Sequence, residues 1–234
     1  MTARLPVFPL GTVLFPGLVL PLHIFEERYR ALVRHLVGLP EGAPREFGVV
    51  AIRRGSEVSP PAPADGSPVG LAGVTLYEVG CTAELRQVTE LADGGFDVVT
   101  VGRRRFRLTG VDERSAPYLT AEVEWLPEPD EPDEITGLLA ARVIAVFRQY
   151  LGLIRPDPEA IAEQLPEDPT VLSHLVAATA ALTVADRQRL LAVDDTAGRL
   201  RAELRLLNRE AALLRQVRAV PVPLRELTGP PAPN

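Results

Sequence analysis

The sequence predicts an α+β protein in which a β-rich half precedes an all-helical half, and three observations support this class. Short segments with alternating apolar and β-branched residues fill the chain up to about residue 127. The segment LPEPDEPDE at 126–134, with five acids and three prolines, ends that pattern. Beyond it, apolar residues recur at helical spacings of three and four. We therefore predict a β-rich subdomain over 1–127, an acidic Pro-rich linker over 128–134, a helical bundle over 135–218 and a Pro-rich tail over 219–234.

The first half contains several predicted strands separated by turn signals such as Asp93-Gly94-Gly95. In the last of them, residues 119, 121, 123 and 125 are apolar and alternate with polar residues, which is the period of a half-buried strand. Strands this short and numerous are typical of a small barrel or sandwich. The predicted strands are Phe47–Arg53, Val74–Val79, Thr82–Glu90, Phe96–Val101, Arg104–Val111 and Leu119–Trp125.

One helix is predicted among the strands, over about residues 24–37, because Phe25, Tyr29, Leu32, Val33 and Leu36 share one helical face. We expect it to plug or flank the sheet. The segment GSEVSPPAPADGSPVG at 55–70 has almost no large apolar residue to bury, so it is predicted to be a mobile loop.

The second half contains the start signals of several helices. Apolar residues between 139 and 150 predict one, and a short helix is expected around 158–164. Asp168-Pro169 combines an N-cap acid with proline at the first helical position, which predicts a helix to about Leu182. A capping box at Thr183 predicts another to about Val193, and the last helix is expected over about 195–218. Its leucine seam is short, which favours packing within its own bundle and a monomer or weak dimer.

Composition excludes several kinds of chemistry. All 25 basic side chains are arginine, so the chain has no lysine for a Schiff base, a Ser-Lys pair or a Walker A loop. Cys81 is the only cysteine, which excludes an internal disulfide and a Cys-rich metal site. The net charge is −6 without a strongly basic region, so nucleic acid is not an expected partner. Neither a signal peptide nor an uninterrupted apolar span is found, and we expect a cytoplasmic protein without a membrane partner.

Two stretches resemble the N-terminal domain of the Lon protease family. They are LPVFPLGTVLFPGLVLPLHIFEERYRALV at 5–33 and YEVGCTAELRQVTELADGGFDVVTVGRRRFRL at 77–108. The first is specific in its order of Pro, Gly, Phe-Glu and Arg-Tyr-Arg, and the helical half agrees in outline. The resemblance implies a six-stranded pseudo-barrel packed with one helix and followed by a helical bundle.

In the full protease this unit precedes an ATPase and a Ser-Lys peptidase and helps to capture protein substrates. Neither the ATPase nor the peptidase domain is present in this sequence, so the resemblance implies a stand-alone, non-catalytic domain that binds unfolded or peptide segments of proteins. It could serve as an adaptor for a protease or a chaperone. Two alternatives stay open: a small-molecule sensor, which needs an enclosed pocket, and an enzyme, which needs convergent polar groups with shifted pKa values in a cleft.

No catalytic, cofactor-binding or metal-binding residues are predicted. The three histidines, His23, His35 and His174, lack metal-ligand spacing, and Cys81 is expected to be a buried, inert thiol. The dense basic cluster at 103–107 supplies the candidate contacts to a peptide, namely Arg103, Arg105 and Arg107. Because Phe106 and Leu108 face one side of a strand, Arg105 and Arg107 are expected on the other, either solvated beside glutamates or bound to acidic groups of a peptide.

Overall fold

The computed structural model describes residues 2–54, 73–128, 133–154 and 165–217. The predicted loop at 55–70, the predicted helix around 158–164 and the tail at 219–234 lie outside these residues. The described strands are β1 (Thr2–Leu10), β2 (Val19–Ile24), β3 (Glu46–Arg54), β4 (Thr75–Leu76), β5 (Val79–Glu90), β6 (Phe96–Asp112) and β7 (Thr120–Trp125). The described helices are α1 (Glu27–Val37), α2 (Glu134–Ile154), α3 (Pro169–Thr179), α4 (Val184–Leu191) and α5 (Thr196–Val217).

The seven described strands form one sheet that curls into a partly closed barrel. Its hydrogen-bonded order is β1-β7-β6-β5-β3-β4, while β2 pairs with β6. Strand β1 pairs with two strands. Its residues 2–6 pair antiparallel with β7, and its residues 7–10 pair parallel with β3. The pairing path therefore returns to its first strand. The α+β class and the barrel-like sheet are confirmed.

The predicted strands differ from the structure in three ways. Strands β1 and β2 were not predicted, because Pro6, Pro9 and Pro21 lie in them and proline is depleted in strands. Proline is tolerated in a strand only where the ladder needs no N–H donor. The two segments predicted on either side of Gly102 are one 17-residue strand, β6. The segment predicted over 74–79 contains only the two-residue β4 and the first residue of β5.

Helix α1 closes one side of the barrel with an apolar face. Tyr29, Leu32, Val33 and Leu36 are buried against residues of the sheet, including Phe8. The helix begins at Glu27 rather than near residue 24, because Ile24 is still part of β2 and pairs with Phe96 of β6. Phe25 consequently precedes the helix and is exposed, which corrects its predicted place on the buried face.

The helical half has its own core, and two of its predicted caps are confirmed. The Asp168 carboxylate accepts a hydrogen bond from Val171 N at 2.8 Å, with Pro169 as the first residue of α3. The Thr183 hydroxyl accepts one from Asp186 N and caps α4. Helix α3 ends at Thr179, earlier than predicted. The core between the helices includes Ala140, Val143, Phe147, Tyr150, Leu151, Leu172, Val176, Leu200 and Leu207.

By length and composition alone, α2 is apolar enough to span a bilayer, with a mean hydropathy of 1.5 over its most apolar window. A helix in the core of a helical bundle can have the same length and composition. Val143, Phe147 and Leu151 of α2 are buried in the helical core, together with Leu200 and Leu207 of α5. Packing within the chain therefore accounts for part of the apolar character of α2, since 28% of this window is buried.

The loop between β1 and β2 is held against β6 by a glycine. Gly102 N donates to Leu18 O at 2.8 Å, and Gly17 N donates to Gly102 O at 2.9 Å. A Cβ atom at residue 102 would lie 2.1 Å from Phe15 O, closer than any side chain allows. The absence of a side chain at Gly102 is therefore what lets β2 start alongside β6.

We predict that Gly102→Ala lowers the free energy of unfolding by about 3 kcal/mol, because the methyl group must push the Phe15 backbone away. Gly152→Ala is the matched control. Apart from the neighbouring residues and the backbone of its own helix, no described residue has an atom within 4 Å of a Cβ at position 152 in α2, so Gly152→Ala should stabilise the protein by about 1 kcal/mol. Urea unfolding followed by circular dichroism measures both. Equal effects of the two alanines would contradict the role given to Gly102.

Candidate functional site

The outer face of strands β2 and β6 exposes a row of apolar side chains. Along β2 and the next residue, Val19, Pro21, His23 and Phe25 are exposed, while the residues between them point inward. Val19 is 61% exposed and Phe25 is 51% exposed. On β6, the residues opposite Val19 and Pro21 are Val101 and Val99, and both are half-buried. A largely apolar strip thus lies on this face of the sheet.

A shallow groove of about 340 Å³ runs over this strip and continues onto β5. Its apolar part comes from β2 and β6, and its polar rim comes from the exposed Gln87 and Thr89 of β5 and from a histidine–aspartate pair. We call this groove, together with Val19 and Phe25, the β2 surface. Its lining residues are Pro21, Leu22, His23, Gln87, Thr89, Asp97, Val98 and Val99.

The edge of β2 that faces away from β6 has no partner strand among the described residues. The bond from Gly102 N to Leu18 O continues into the β2–β6 ladder, so the backbone groups of Leu20, Leu22 and Ile24 face β6. Those of Val19, Pro21 and His23 then face outward. Pro21 lacks an N–H, which leaves two donors and three acceptors along this edge.

His23 and Asp97 form the polar end of the β2 surface. Their side chains lie on neighbouring strands in register, with His23 Nδ1 at 2.8 Å from Asp97 Oδ1. Both side chains are exposed. The imidazole ring also lies 6.2 Å from the ring of Phe25, centroid to centroid. The pair therefore offers a hydrogen-bonding group beside an exposed aromatic ring.

The structure separates the three candidate arginines. Arg103 is exposed and its guanidinium pairs with Glu84, which lies opposite Val101 at one end of the β2 surface. Arg107 is half-buried and lies opposite Glu124, on the part of β6 that pairs with β7 rather than with β2. Arg105 is only 1% exposed. The expected solvated position of Arg105 is wrong, because its side chain enters the junction between the sheet and the helices.

At this junction, the Arg105 guanidinium binds the end of helix α4. Its Nη1 donates to Leu191 O at 2.9 Å and to Val193 O at 2.6 Å, and its Nη2 donates to Asp194 O at 3.2 Å. These carbonyls belong to the last turn of α4 and the residues after it, where a helix lacks internal donors and carries partial negative charge. A strand residue thus caps a helix of the other half of the chain.

Glu128 joins Arg105 to a second buried arginine. One carboxylate oxygen pairs with Arg105 Nε, and the other accepts a hydrogen bond from Arg199 Nη2 at 2.9 Å. Arg199 Nε also donates to the Ser173 hydroxyl at 3.0 Å. Both arginine side chains are fully buried. We call Arg105, Glu128, Ser173, His174 and Arg199 the junction cluster.

Two groups of the junction cluster have shifted pKa values. Burial opposes ionisation of Glu128, but the neighbouring His174 and the charges of Arg199 and Arg105 outweigh it and lower the pKa of this carboxyl. Burial is also the main cause of the lowered pKa of His174, whose Nε2 lies 3.5 Å from Glu128. The cluster therefore holds an ionised carboxylate between two guanidiniums beside a neutral imidazole.

A second buried acid, Glu203 of α5, has no hydrogen-bond partner for either carboxylate oxygen among the described residues. It is 1% exposed, and burial raises its pKa well above the ordinary value, although the charge of Arg199 opposes this shift. Cys81 is fully buried, and burial raises the pKa of its thiol strongly. The predicted burial of Cys81 is confirmed.

The junction cluster carries shifted pKa values, but its two arginines are fully buried and are directed at groups of this chain: Arg105 at backbone carbonyls and Arg199 at Ser173 and Glu128. The β2 surface carries the accessible groups. His23 lies on β2, His35 lies on α1 beside Tyr118, and His174 lies on α3, so the structure does not bring the histidines together. Sequence reasoning missed the β2 surface and Glu128. The alternation of exposed residues at 19, 21, 23 and 25 was the available signal for β2.

Comparison with known proteins agrees with this architecture. Residues 4–209 match the family described as the ATP-dependent protease La (LON) substrate-binding domain, and the chain belongs to this family. It is 30% identical over 218 residues to a Lon protease of Anaeromyxobacter dehalogenans, covering 91% of this chain and 24% of that protein. It is 32% identical over 215 residues to Lon protease 1 of Thermus thermophilus, covering 88% of this chain and 25% of that protein. The chain thus spans about a quarter of the length of these relatives.

Solved structures show the same fold. The N-terminal domain of the Mycobacterium avium complex Lon protease superposes with a TM-score of 0.62 at 22% identity, covering 88% of this chain and 98% of that one. A Lon N-terminal domain protein from Xanthomonas campestris superposes with a TM-score of 0.59 at 26% identity, covering 86% of this chain and 97% of that one. The family resemblance stated from residues 5–33 and 77–108 is confirmed.

We predict that Glu128→Gln lowers the free energy of unfolding by about 3 kcal/mol at neutral pH, because it leaves Arg105 and Arg199 buried without their carboxylate. Since the folded state lowers the pKa of Glu128, its contribution is present above the ordinary carboxyl pKa of about 4.5 and is lost as the pH falls. The parent protein should therefore lose stability in acid more steeply than the variant. Urea unfolding between about pH 3 and pH 7 measures this.

The matched control is Glu84→Gln, which breaks the partly exposed pair with Arg103. An exposed pair of this kind contributes about 1 kcal/mol or less. Equal losses for the two variants at neutral pH would contradict the structural role of the junction cluster.

Glu203→Met should stabilise the protein by about 2 kcal/mol, because it removes a buried carboxyl without hydrogen bonds. The folded state raises the pKa of Glu203, so the cost of keeping it protonated grows as the pH rises above about 4.5. The advantage of the variant should therefore be larger at about pH 8 than at about pH 5. Melting temperatures at the two pH values test this, and an advantage that shrinks with rising pH would refute it.

Proposed function

We propose that this domain binds extended segments of unfolded polypeptide on the β2 surface. The observation that carries the proposal is an open strand edge next to an exposed apolar strip, in a chain that belongs to a substrate-binding family of a protease. A protease acts on polypeptide, so its substrate-binding domain needs a surface that accepts main chain. The β2 edge and its apolar neighbours meet this requirement.

Two kinds of contact would contribute to binding. The outward backbone groups of Val19, Pro21 and His23 can pair with an added strand, which gives affinity largely independent of sequence. Val19, Phe25 and the valines of β6 can cover apolar side chains of the segment, at about 25 cal/mol per Å² of buried apolar surface. A folded protein hides both its main chain and its apolar side chains. The surface would therefore prefer unfolded clients.

Arg103 is the sequence-predicted contact that fits this proposal. It lies at the Val101 end of the strip, where its guanidinium pairs with Glu84. An acidic side chain of a bound segment could exchange with Glu84 for this guanidinium. Arg105 has no such role in the proposal, because its donors are directed at α4 and Glu128.

In this proposal the domain is a recognition module of the cytoplasm and performs no chemistry itself. It would pass clients to a protease or a chaperone, as an adaptor does. A sensor function would need an enclosed pocket, whereas the groove of the β2 surface is open to solvent. An enzyme would need shifted titratable groups in an accessible cleft, whereas those of the junction cluster line the interior.

We predict that the double variant Val19→Glu, Phe25→Glu weakens binding of an unfolded protein at least tenfold, because it places two charges on the apolar strip. Fluorescently labelled, reduced and carboxymethylated α-lactalbumin is a suitable client, with affinity measured by anisotropy. The control is Val111→Glu, Leu213→Glu, which adds the same charge at exposed apolar positions elsewhere. Equal affinity of the two double variants would reject the β2 surface as the binding site.

Strand addition makes a further demand on the client. A short apolar peptide should bind, and the same peptide with alternate backbone nitrogens methylated should bind at least tenfold more weakly when the methyl groups face β2. If neither set of alternate methyl groups weakens binding, the segment does not pair with the β2 edge.

A further inference from the structure

A second groove lies between helices α2 and α5, on elements that the β2 surface does not use. Its volume is about 390 Å³. Leu139 of α2 and Leu204 of α5, both half-buried, supply its apolar floor. The remaining lining residues are polar and exposed, namely Arg142, Arg201, Arg205 and Asn208. We call it the α2–α5 groove.

Large apolar side chains continue from the floor to the outside of α2. Leu138 is 68% exposed, the highest value among the large apolar residues that the structure describes as exposed, and Ile135 one turn earlier is 54% exposed. Ile135 is four residues before Leu139 and Leu138 is four residues before Arg142, so each is a surface neighbour of a lining residue on the α2 side. Exposed apolar groups clustered beside a groove and rimmed by polar residues mark an interaction site.

The three arginines of the groove are available for a partner. Within 4.0 Å of Arg142, Arg201 and Arg205 there is no carboxylate of a described residue. Nine other described surface arginines pair with carboxylates, namely Arg4, Arg28, Arg30, Arg34, Arg86, Arg103, Arg104, Arg189 and Arg209. The exposed Arg53, Arg54 and Arg114 have no carboxylate partner among the described residues either, so the distinctive feature of the groove is that three such guanidiniums line it together. Three guanidiniums without a carboxylate partner among the described residues line one apolar groove, and in a chain with a net charge of −6 they are a local concentration of positive charge.

The positive charge of Arg201 in the groove acts on the nearby carboxyl of Asp133. Hydrogen bonds from Thr136 are the main cause of the lowered pKa of Asp133, and the charge of Arg201 adds to the shift. Carboxylates placed along the groove would be stabilised in the same direction. Arginine also binds carboxylates with two parallel hydrogen bonds, which fixes their geometry.

From these observations we infer that the α2–α5 groove docks an acidic amphipathic α-helix of a partner protein. A groove between two helices has the shape that accepts a third helix, with apolar residues at i, i+3, i+4 and i+7 entering it. Leucines of the partner would contact Leu138, Leu139 and Leu204, and its acids would meet the three arginines. Polyanions such as nucleic acid would leave the apolar floor of the groove uncovered. They are also repelled by the net negative charge of the chain.

The test uses the whole chain and a fluorescein-labelled synthetic helix with leucines on one face and glutamates on the others. Saturable binding by anisotropy is expected. The triple variant Arg142→Glu, Arg201→Glu, Arg205→Glu should weaken it at least tenfold, and Leu138→Ser should weaken it severalfold. The control variant Arg53→Glu, Arg54→Glu, Arg114→Glu makes the same change in net charge at other exposed arginines and should bind like the parent protein.

Further probes decide between kinds of partner. A peptide of the same composition with its leucines dispersed around the helix should bind at least tenfold more weakly. Equal binding of this peptide, or full binding by the groove triple variant, would overturn the inference. So would binding of phosphatidylglycerol vesicles or duplex DNA through the three arginines when the helical peptide does not bind. Circular dichroism of the variants, all at exposed positions, checks that they fold.

This inference stands apart from the proposed function. The Val19→Glu, Phe25→Glu variant should keep its affinity for the helical peptide, and the groove triple variant should keep its affinity for carboxymethylated α-lactalbumin. Loss of both ligands in either variant would mean that a single surface serves both, and the inference of a separate docking groove would fail.

Discussion

The burial of one guanidinium decides how the two halves of this chain meet. Arg105 starts on a strand of the barrel and ends on the carbonyls that close α4, with Glu128 linking it to Arg199 of α5. Removing charges from water is expensive, so such a group persists only where its donors are satisfied in one arrangement. That requirement specifies the arrangement as well as stabilising it. Gln188 of α4, which donates to Val79 O at 2.7 Å, adds a neutral contact across the same boundary.

The β2 surface and the α2–α5 groove differ in their chemistry. The β2 surface presents main chain and apolar groups with a polar rim, which suit a client without fixed structure. The α2–α5 groove presents guanidiniums over leucines, which suit a partner that is already helical. In the two proposals, client and partner would occupy different residues, because the β2 surface and the α2–α5 groove share none. The junction cluster between sheet and helices keeps the two surfaces in a fixed relation.

Much of the architecture followed from local signals in the sequence. Asp168-Pro169 and Thr183 predicted two helix starts because capping depends on a few neighbouring residues. Strands β1 and β2 could not be predicted in that way, since their prolines lower strand propensity and their pairing depends on residues far along the chain. Arg105 and Glu128 were misplaced for the same reason. An arginine beside Phe106 and a glutamate in an acidic stretch resemble solvated residues until distant carbonyls and Arg199 are brought beside them.

The split pairing of β1 has a consequence for biosynthesis. Residue 2 pairs with residue 124 on β7, while residue 7 pairs with residue 48 on β3. During synthesis, the earliest strand must therefore wait until most of the barrel has left the ribosome before its own edge is covered. Contacts of such long sequence separation form slowly, because the loop between them must first close. For that interval, β1 is itself a segment without its partner strand that a chaperone could shield.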